Sequence, residues 1–136
     1  MIKKVLTGQC LCGLITCTAT GDPASTVNCH CSDCRRATGA VFGTVLYFQK
    51  EKVQIIGAFS GYDHVSDRGT IVRRMFCPSC GSQMFARASV WPDLLGIRAG
   101  CIRQTERIVP QRNVFVSRKI ESTPLNPDLP RIDAMP

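Results

Sequence analysis

Nine cysteines in 136 residues, grouped rather than scattered, restrict this chain more than any other feature. Most of them fall in three short motifs: Cys10-Leu11-Cys12-Gly13, Cys29-His30-Cys31-Ser32-Asp33-Cys34 and Cys77-Pro78-Ser79-Cys80-Gly81. A C-x-x-C turn brings two sulfurs to one metal ion. Pro78 presets a turn dihedral, and Gly81 can take the left-handed conformation that ends such a knuckle. Tetrahedral zinc needs four ligands, so this is half a site. Cys10-x-Cys12 supplies the matching half, because residues i and i+2 of an extended segment face the same side. Cys10, Cys12, Cys77 and Cys80 are therefore expected to form a closed, structural zinc site that ties together two hairpins distant in sequence.

Cys29, Cys31 and Cys34 remain as a local group. A strand end, a turn and the first turn of a short helix can place their sulfurs on a second zinc ion, and a helix N-terminus favours thiolate over thiol. Closed four-ligand zinc sites are structural, whereas three protein ligands plus water or substrate is the catalytic arrangement. The pattern thus points to chemistry at this second site. Spacing alone leaves open that Cys17, Cys101 or His30 closes it instead.

The length suits one domain, with a core over about residues 4–120 and an extended tail over 121–136 that takes in the Pro-containing "STPLNPDLPRIDAMP". No apolar stretch reaches the roughly 20 residues of a membrane span, and the N-terminus lacks the apolar run of a signal peptide. A cytoplasmic location is expected, and in a reducing compartment so many cysteines argue for metal ligation over disulfides. The formal charge of +7 invites a nucleic-acid reading. If the seven motif cysteines bind two divalent ions as thiolates, however, seven negative charges against four positive bring it to about +4. Lys3, Lys4, Arg35, Arg36, Arg73, Arg74, Arg103, Arg107 and Arg112 are also dispersed rather than gathered in one run.

Short β-like runs alternate with turn residues: "KKVLTGQ", "LITCTAT", "AVFGTVLYF", "KVQIIGA" and "GTIVRRMF", then the shorter "FARAS", "LLGIRAG" and "NVFVS". One short helix is expected over "SDCRRATG", with Ser32 as N-cap and Gly39 as its stop. The result is a mainly β, mostly antiparallel fold with little helix, in which bound metal adds stability to a limited core.

Together the motifs "GQCLCG", "CHCSDCRRATGA" and "FCPSCGS" resemble those of the glutathione-dependent formaldehyde-activating enzyme family, the CENP-V/GFA domain. The resemblance covers nearly the whole chain. It implies an Mss4-like fold of small coiled β-sheets with two zinc ions, Cys10, Cys12, Cys77 and Cys80 being structural and Cys29, Cys31 and Cys34 catalytic. It also implies a carbon–sulfur lyase acting on a thiol adduct such as S-hydroxymethylglutathione, with glutathione as the small-molecule partner. Arg35 or Arg36 would then pair with glutathione carboxylates, against the blander reading of solvated helix-face arginines. The competing class is a non-catalytic zinc domain that binds nucleic acid or protein. Dispersed basic residues and few aromatics for base stacking weigh against it. Bland roles are expected elsewhere: His30 at the surface or behind the ligands, His64 exposed, Trp91-Pro92 a loop anchor, and Cys17 a buried thiol. Cys101 is either buried or close enough to matter to the second metal.

Overall fold

The computed structural model describes residues 4–134. Its N-terminal segment forms the hairpin that the alternation of "VLTGQ" and "TCTAT" implies. Strands β1 (Val5–Gln9) and β2 (Thr16–Thr20) pair antiparallel about the turn carrying Cys10 and Cys12, with Leu6, Cys17 and Ala19 turned inward. Lys3, the first residue of the first expected strand, lies outside the described residues, as do Met135 and Pro136 of the tail.

A second, larger sheet contains β3 (Ser25–Cys29) and β4 (Gly43–Gln49), and β5 (Val53–Ile56) joins β2 as the third strand of the first sheet. The larger sheet continues through β6 (Ser60–Val65), β7 (Ile71–Phe76), β8 (Gln83–Ala88) and β9 (Leu94–Arg98) in the spatial order β3-β4-β9-β8-β7-β6, antiparallel throughout. On the other side of β3, β10 (Arg112–Val114) and β11 (Arg131–Ile132) add two parallel pairings. The helix α1 (Ser32–Thr38) connects β3 to β4. No helix among the described residues is long and apolar enough to cross a membrane.

Because side chains alternate along a strand, each face of the larger sheet has its own cargo. Leu46, Phe48, Phe85, Leu95 and Ile97 pack with Leu6 and Ile15 of the hairpin into the main core, joined there by Cys10 and Cys77. The opposite face carries a second, smaller apolar cluster of Val27, Cys29, Cys34 and Val114, with Tyr47 and Phe115 against it.

The mainly β architecture agrees with expectation, with informative departures. Three strands fall outside the expected runs: β3, of which only the end at Cys29 was anticipated, β6 and β11. β3 has a single large apolar side chain, Val27, among small and polar ones. β6, "SGYDHV", is an edge strand whose residues are largely exposed, so its polar composition reads as a turn. Part of the tail is ordered as β11, and "NVFVS" stops as a strand at Val114 because Phe115 adopts a left-handed φ of 56°. The helix is capped by Cys31 rather than Ser32: the Cys31 Sγ accepts from the Cys34 amide at 3.2 Å. Its stop at Gly39 is as expected, with the Gly39 amide donating to the Arg35 carbonyl at 2.8 Å.

Candidate functional site

Two groups of thiols converge in the folded chain, and they are the groups that the spacing implied. In the first, the Sγ atoms of Cys10, Cys12, Cys77 and Cys80 all lie within 4.8 Å of one another. The Cys10–Cys12 and Cys12–Cys77 sulfurs are 3.6 and 3.7 Å apart. Four sulfurs at about 2.3 Å from one tetrahedral ion stand about 3.8 Å apart, so this donor set fits a metal ion. Backbone geometry fixes both knuckles: the Gly13 amide donates to the Cys10 carbonyl and the Gly81 amide to the Cys77 carbonyl, with Gly13 and Gly81 at φ of 83° and 77°. The Ser82 hydroxyl accepts from the Leu11 amide at 3.0 Å, bridging the two halves, and lies 3.2 Å from the Cys80 sulfur. Hydrogen bonds from the Ser82 hydroxyl and amide hold the Cys80 thiol down to about 5, in the thiolate form that binds metals.

In the second group Cys29 ends β3, Cys31 caps α1 and Cys34 lies in the first helical turn, and their sulfurs again lie within 4.8 Å of one another. No fourth histidine, cysteine or carboxylate among the described residues completes this set. His30, between two of the ligand candidates, is fully buried. Its ring stacks at a tilt on Phe42 with centroids 4.7 Å apart, and its Nε2 donates to Asn113 Oδ1 at 3.1 Å. It therefore braces the β3 end from behind. Cys17 is a buried thiol as expected, pushed up to about 11 by burial. Cys101 donates to the Gln83 carbonyl at 3.4 Å, and its thiol is raised by burial and then by the charge of Cys10, which places it beside the four-cysteine group and not the second one.

The charge distribution within the second group is uneven. Hydrogen bonds from Cys29 and Cys31, then the guanidinium charges of Arg98 and Arg74, pull the Cys34 thiol far below its ordinary value against the opposing effect of burial. Cys29 is pushed the other way by its hydrogen bonds to Cys31 and Cys34. Within this group the surroundings favour negative charge on Cys34, next to two buried arginines.

All three of these cysteines line a cavity of about 210 Å³. Its floor is the face of the larger sheet away from the main core. Cross-strand register sets Tyr47, Gly96, Ala86 and Arg74 in one row across β4, β9, β8 and β7. The two small residues in the middle of that row leave the depth, and Tyr47 and Arg74 stand at its sides. Arg98 adjoins this row from its pairing with Val45. At the rim are Arg68, Arg87, Arg118 and Trp91, with Asp67 and Asp133. Burial, then the nearby charge of Cys34 and Cys29, pushes the Tyr47 phenol up to about 12, so it stays neutral at physiological pH.

Neither Arg35 nor Arg36 lines this cavity: Arg36 is exposed, and Arg35 donates to the Arg118 carbonyl at 3.3 Å. The buried arginines that do, Arg74 and Arg98, were missed because arginine on a strand ordinarily faces solvent. The available signal was a charged residue ending the otherwise apolar run "LLGIR". His64 is half-buried rather than exposed, and its Nε2 accepts from Arg74 Nε at 2.9 Å. Trp91 anchors its turn, with its amide donating to the Ala88 carbonyl at 3.0 Å, while also forming part of the cavity rim.

A mainly β frame with two cysteine groups spaced for metal ions, one in the core and one in a cavity, defines a class of small β proteins organised around paired cysteine clusters able to hold metal. The chain belongs to the glutathione-dependent formaldehyde-activating enzyme family, whose model matches residues 5–118 and so takes in both groups. It is 32% identical over 79 residues to an Aspergillus terreus protein provisionally named a glutathione-dependent formaldehyde-activating enzyme, covering 58% of this chain and 41% of that one. The match thus spans less than half the length of that relative. The crystal structure of a Rhodobacter sphaeroides protein has a similar fold, with a TM-score of 0.56 and 20% identity over 92% of this chain and 98% of the other.

Proposed function

We propose that Cys29, Cys31 and Cys34 hold a zinc ion at the active site of a carbon–sulfur lyase whose substrate is a thiol–aldehyde adduct such as S-hydroxymethylglutathione. Cys10, Cys12, Cys77 and Cys80 hold a second, structural zinc. The observation that carries this reading is the cavity that includes all three sulfurs of the incomplete group and has guanidinium groups in its wall. Bound there, zinc supplies Lewis acidity, which lowers the pKa of a ligated thiol and polarises an aldehyde oxygen.

The remaining work falls to the chain. In the cleavage direction the carbon–sulfur bond breaks, its electron pair stays on sulfur, and the hydroxyl proton passes to solvent water as the carbon–oxygen double bond forms. Tyr47, neutral at pH 7, offers a hydrogen-bond donor to that oxygen. The exposed Arg68 and Arg87 at the rim suit the two carboxylates of glutathione, and Asp133 suits its ammonium. The cavity is small beside the roughly 300 Å³ at which ligand pockets usually begin. It takes the reacting end, and the rest of the tripeptide lies across the rim. All nine cysteines are free thiols, which suits a reducing compartment such as the cytoplasm.

The test is metal analysis combined with the exchange between glutathione, formaldehyde and their adduct followed by NMR. Two zinc ions per chain, one of them removed readily by a chelator and retained better with glutathione present, together with accelerated exchange, support the reading. A single inert zinc with no acceleration removes it. Salt-sensitive binding to generic DNA in that case would favour the non-catalytic alternative.

A further inference from the structure

Arg98 is the most deeply buried cation of the cavity, at 5% exposure against 8% for Arg74. Its Nε and Nη1 have no hydrogen-bond partner among the described residues. A guanidinium carries five donors and cannot shed its proton to escape the cost of burial. The chain makes room for it: a Cβ at position 43 would stand 2.9 Å from Arg98 Nη1, so Gly43 lets the guanidinium approach the β4 backbone. Arg74, by contrast, is held in place. Its Nε donates to His64, and its Nη1 and Nη2 both lie 4.0 Å from the Cys34 sulfur. Among the described residues neither arginine forms an ion pair with a carboxylate.

A buried cation needs a counter-charge, and the site can be counted. Three thiolates and one divalent ion leave one negative charge. The two guanidinia bring two positive ones. The balance of one positive charge is what a single bound thiolate cancels. A neutral thiol or a thioether leaves that balance standing, and Arg98 with its donors unmet.

We propose that Arg98, steadied by the neighbouring Arg74, is the receptor for the thiolate that cleavage of the carbon–sulfur bond sets free, the same species that enters in the adduct-forming direction, and so makes the cavity hold a free thiol more tightly than a stable thioether that cannot release one. This rests on the reading of Cys29, Cys31 and Cys34 as a zinc-holding site. It adds to that reading a residue from a different strand that touches the ligand and not the metal.

The experiment separates sulfur from carboxylate. Zinc-loaded wild-type protein, Arg98→Gln and Arg98→Lys are titrated by calorimetry with 2-mercaptoethanol, which has a thiol and no carboxylate. They are also titrated with S-methylglutathione, which keeps both carboxylates and has no free thiol. Buffers of different ionisation heat count the protons released. A cysteine thiol has a pKa near 8.5 and a simple alkanethiol a higher one, so binding as thiolate at pH 7 releases about one proton. The expected result is that 2-mercaptoethanol binds the wild type with that release. Arg98→Gln binds it about tenfold or more weakly, because a charge-assisted partner is gone, and Arg98→Lys falls between. S-methylglutathione is bound alike by all three, and each protein retains two zinc ions. Equal affinity of wild type and Arg98→Gln for 2-mercaptoethanol overturns the proposal, as does a wild type that binds it without releasing a proton or not at all. A tenfold loss for S-methylglutathione instead would move Arg98 to a carboxylate and overturn it too. Should Arg98→Gln fail to retain its zinc, Arg98→Lys decides, with parity to wild type as the refuting result. Neither probe is the hydroxymethyl adduct. Arg98-dependent thiolate binding without turnover of that adduct would therefore sink the lyase reading and leave this one standing.

Discussion

The two cysteine groups use the same side chain under opposite conditions. The four-cysteine group draws its sulfurs from two hairpins far apart in the chain, with Cys10 and Cys77 embedded in the main core at 1% and 0% exposure. The three-cysteine group comes from six consecutive positions and sits in a small apolar cluster of its own, open to a cavity. A ligand set that closes a long loop restricts the unfolded chain heavily, whereas one closing a few residues restricts it little. The lesson is that the same side chain meets opposite surroundings: the first group lies at a junction within the main core, and the second opens on a cavity.

The largest effect should come from breaking the first group. Cys77→Ser removes a fully buried ligand candidate from the junction of both sheets, and we expect a loss of roughly 4 kcal/mol or more in urea unfolding, or failure to fold at all. An unchanged midpoint with unchanged slope would erase the distinction between the groups. Cys31→Ser is the counterpart. Exchange of the thiol adduct should fall by about a hundredfold or more, while the urea midpoint moves by no more than about 1 kcal/mol. If instead the fold collapses, both groups are structural.

Finer comparisons follow. Ser82→Ala deletes the hydroxyl that joins Leu11 to the second knuckle and contacts Cys80, and should cost about 1 kcal/mol while leaving activity intact. The smallest effect concerns the cavity. Tyr47 lines it and Tyr62 is exposed, and they are the two tyrosines of the chain. In an alkaline absorbance titration Tyr47 should ionise only near 12, and Tyr47→Phe should abolish that upper step. Its folded-state pKa is raised, so the neutral phenol is the form the fold favours. The stability tied to it is complete below the ordinary value of about 10 and is lost as pH climbs from there to about 12. A single tyrosinate step in the wild type would mean that the Tyr47 site is as wet as the surface.

Both thiol groups were legible because ligand spacing is a local constraint: C-x-C and C-x-x-C state which sulfurs face one way before any fold is known. The turn glycines Gly13 and Gly81 could be read for the same reason. The cavity could not. Its floor depends on the register that sets Gly96 and Ala86 between Tyr47 and Arg74, and register is a property of four strands together. Arg74 and Arg98 were hidden likewise, since burial of an arginine depends on what the neighbouring strands place opposite it. Edge strand β6 escaped notice because "SGYDHV" pairs on one side only and keeps polar side chains on both faces.

One detail of the second group links it to the backbone. The helix begins on a sulfur: Cys31 accepts from the amide of Cys34, the same residue whose side chain stands beside it in the cluster. Electron density drawn from that sulfur toward a cation weakens the acceptor that starts the helical turn, and an amide drawn closer makes the sulfur a poorer donor. Filling and emptying the centre should therefore register in the chemical shift of one backbone nitrogen, giving an occupancy gauge already built into the chain.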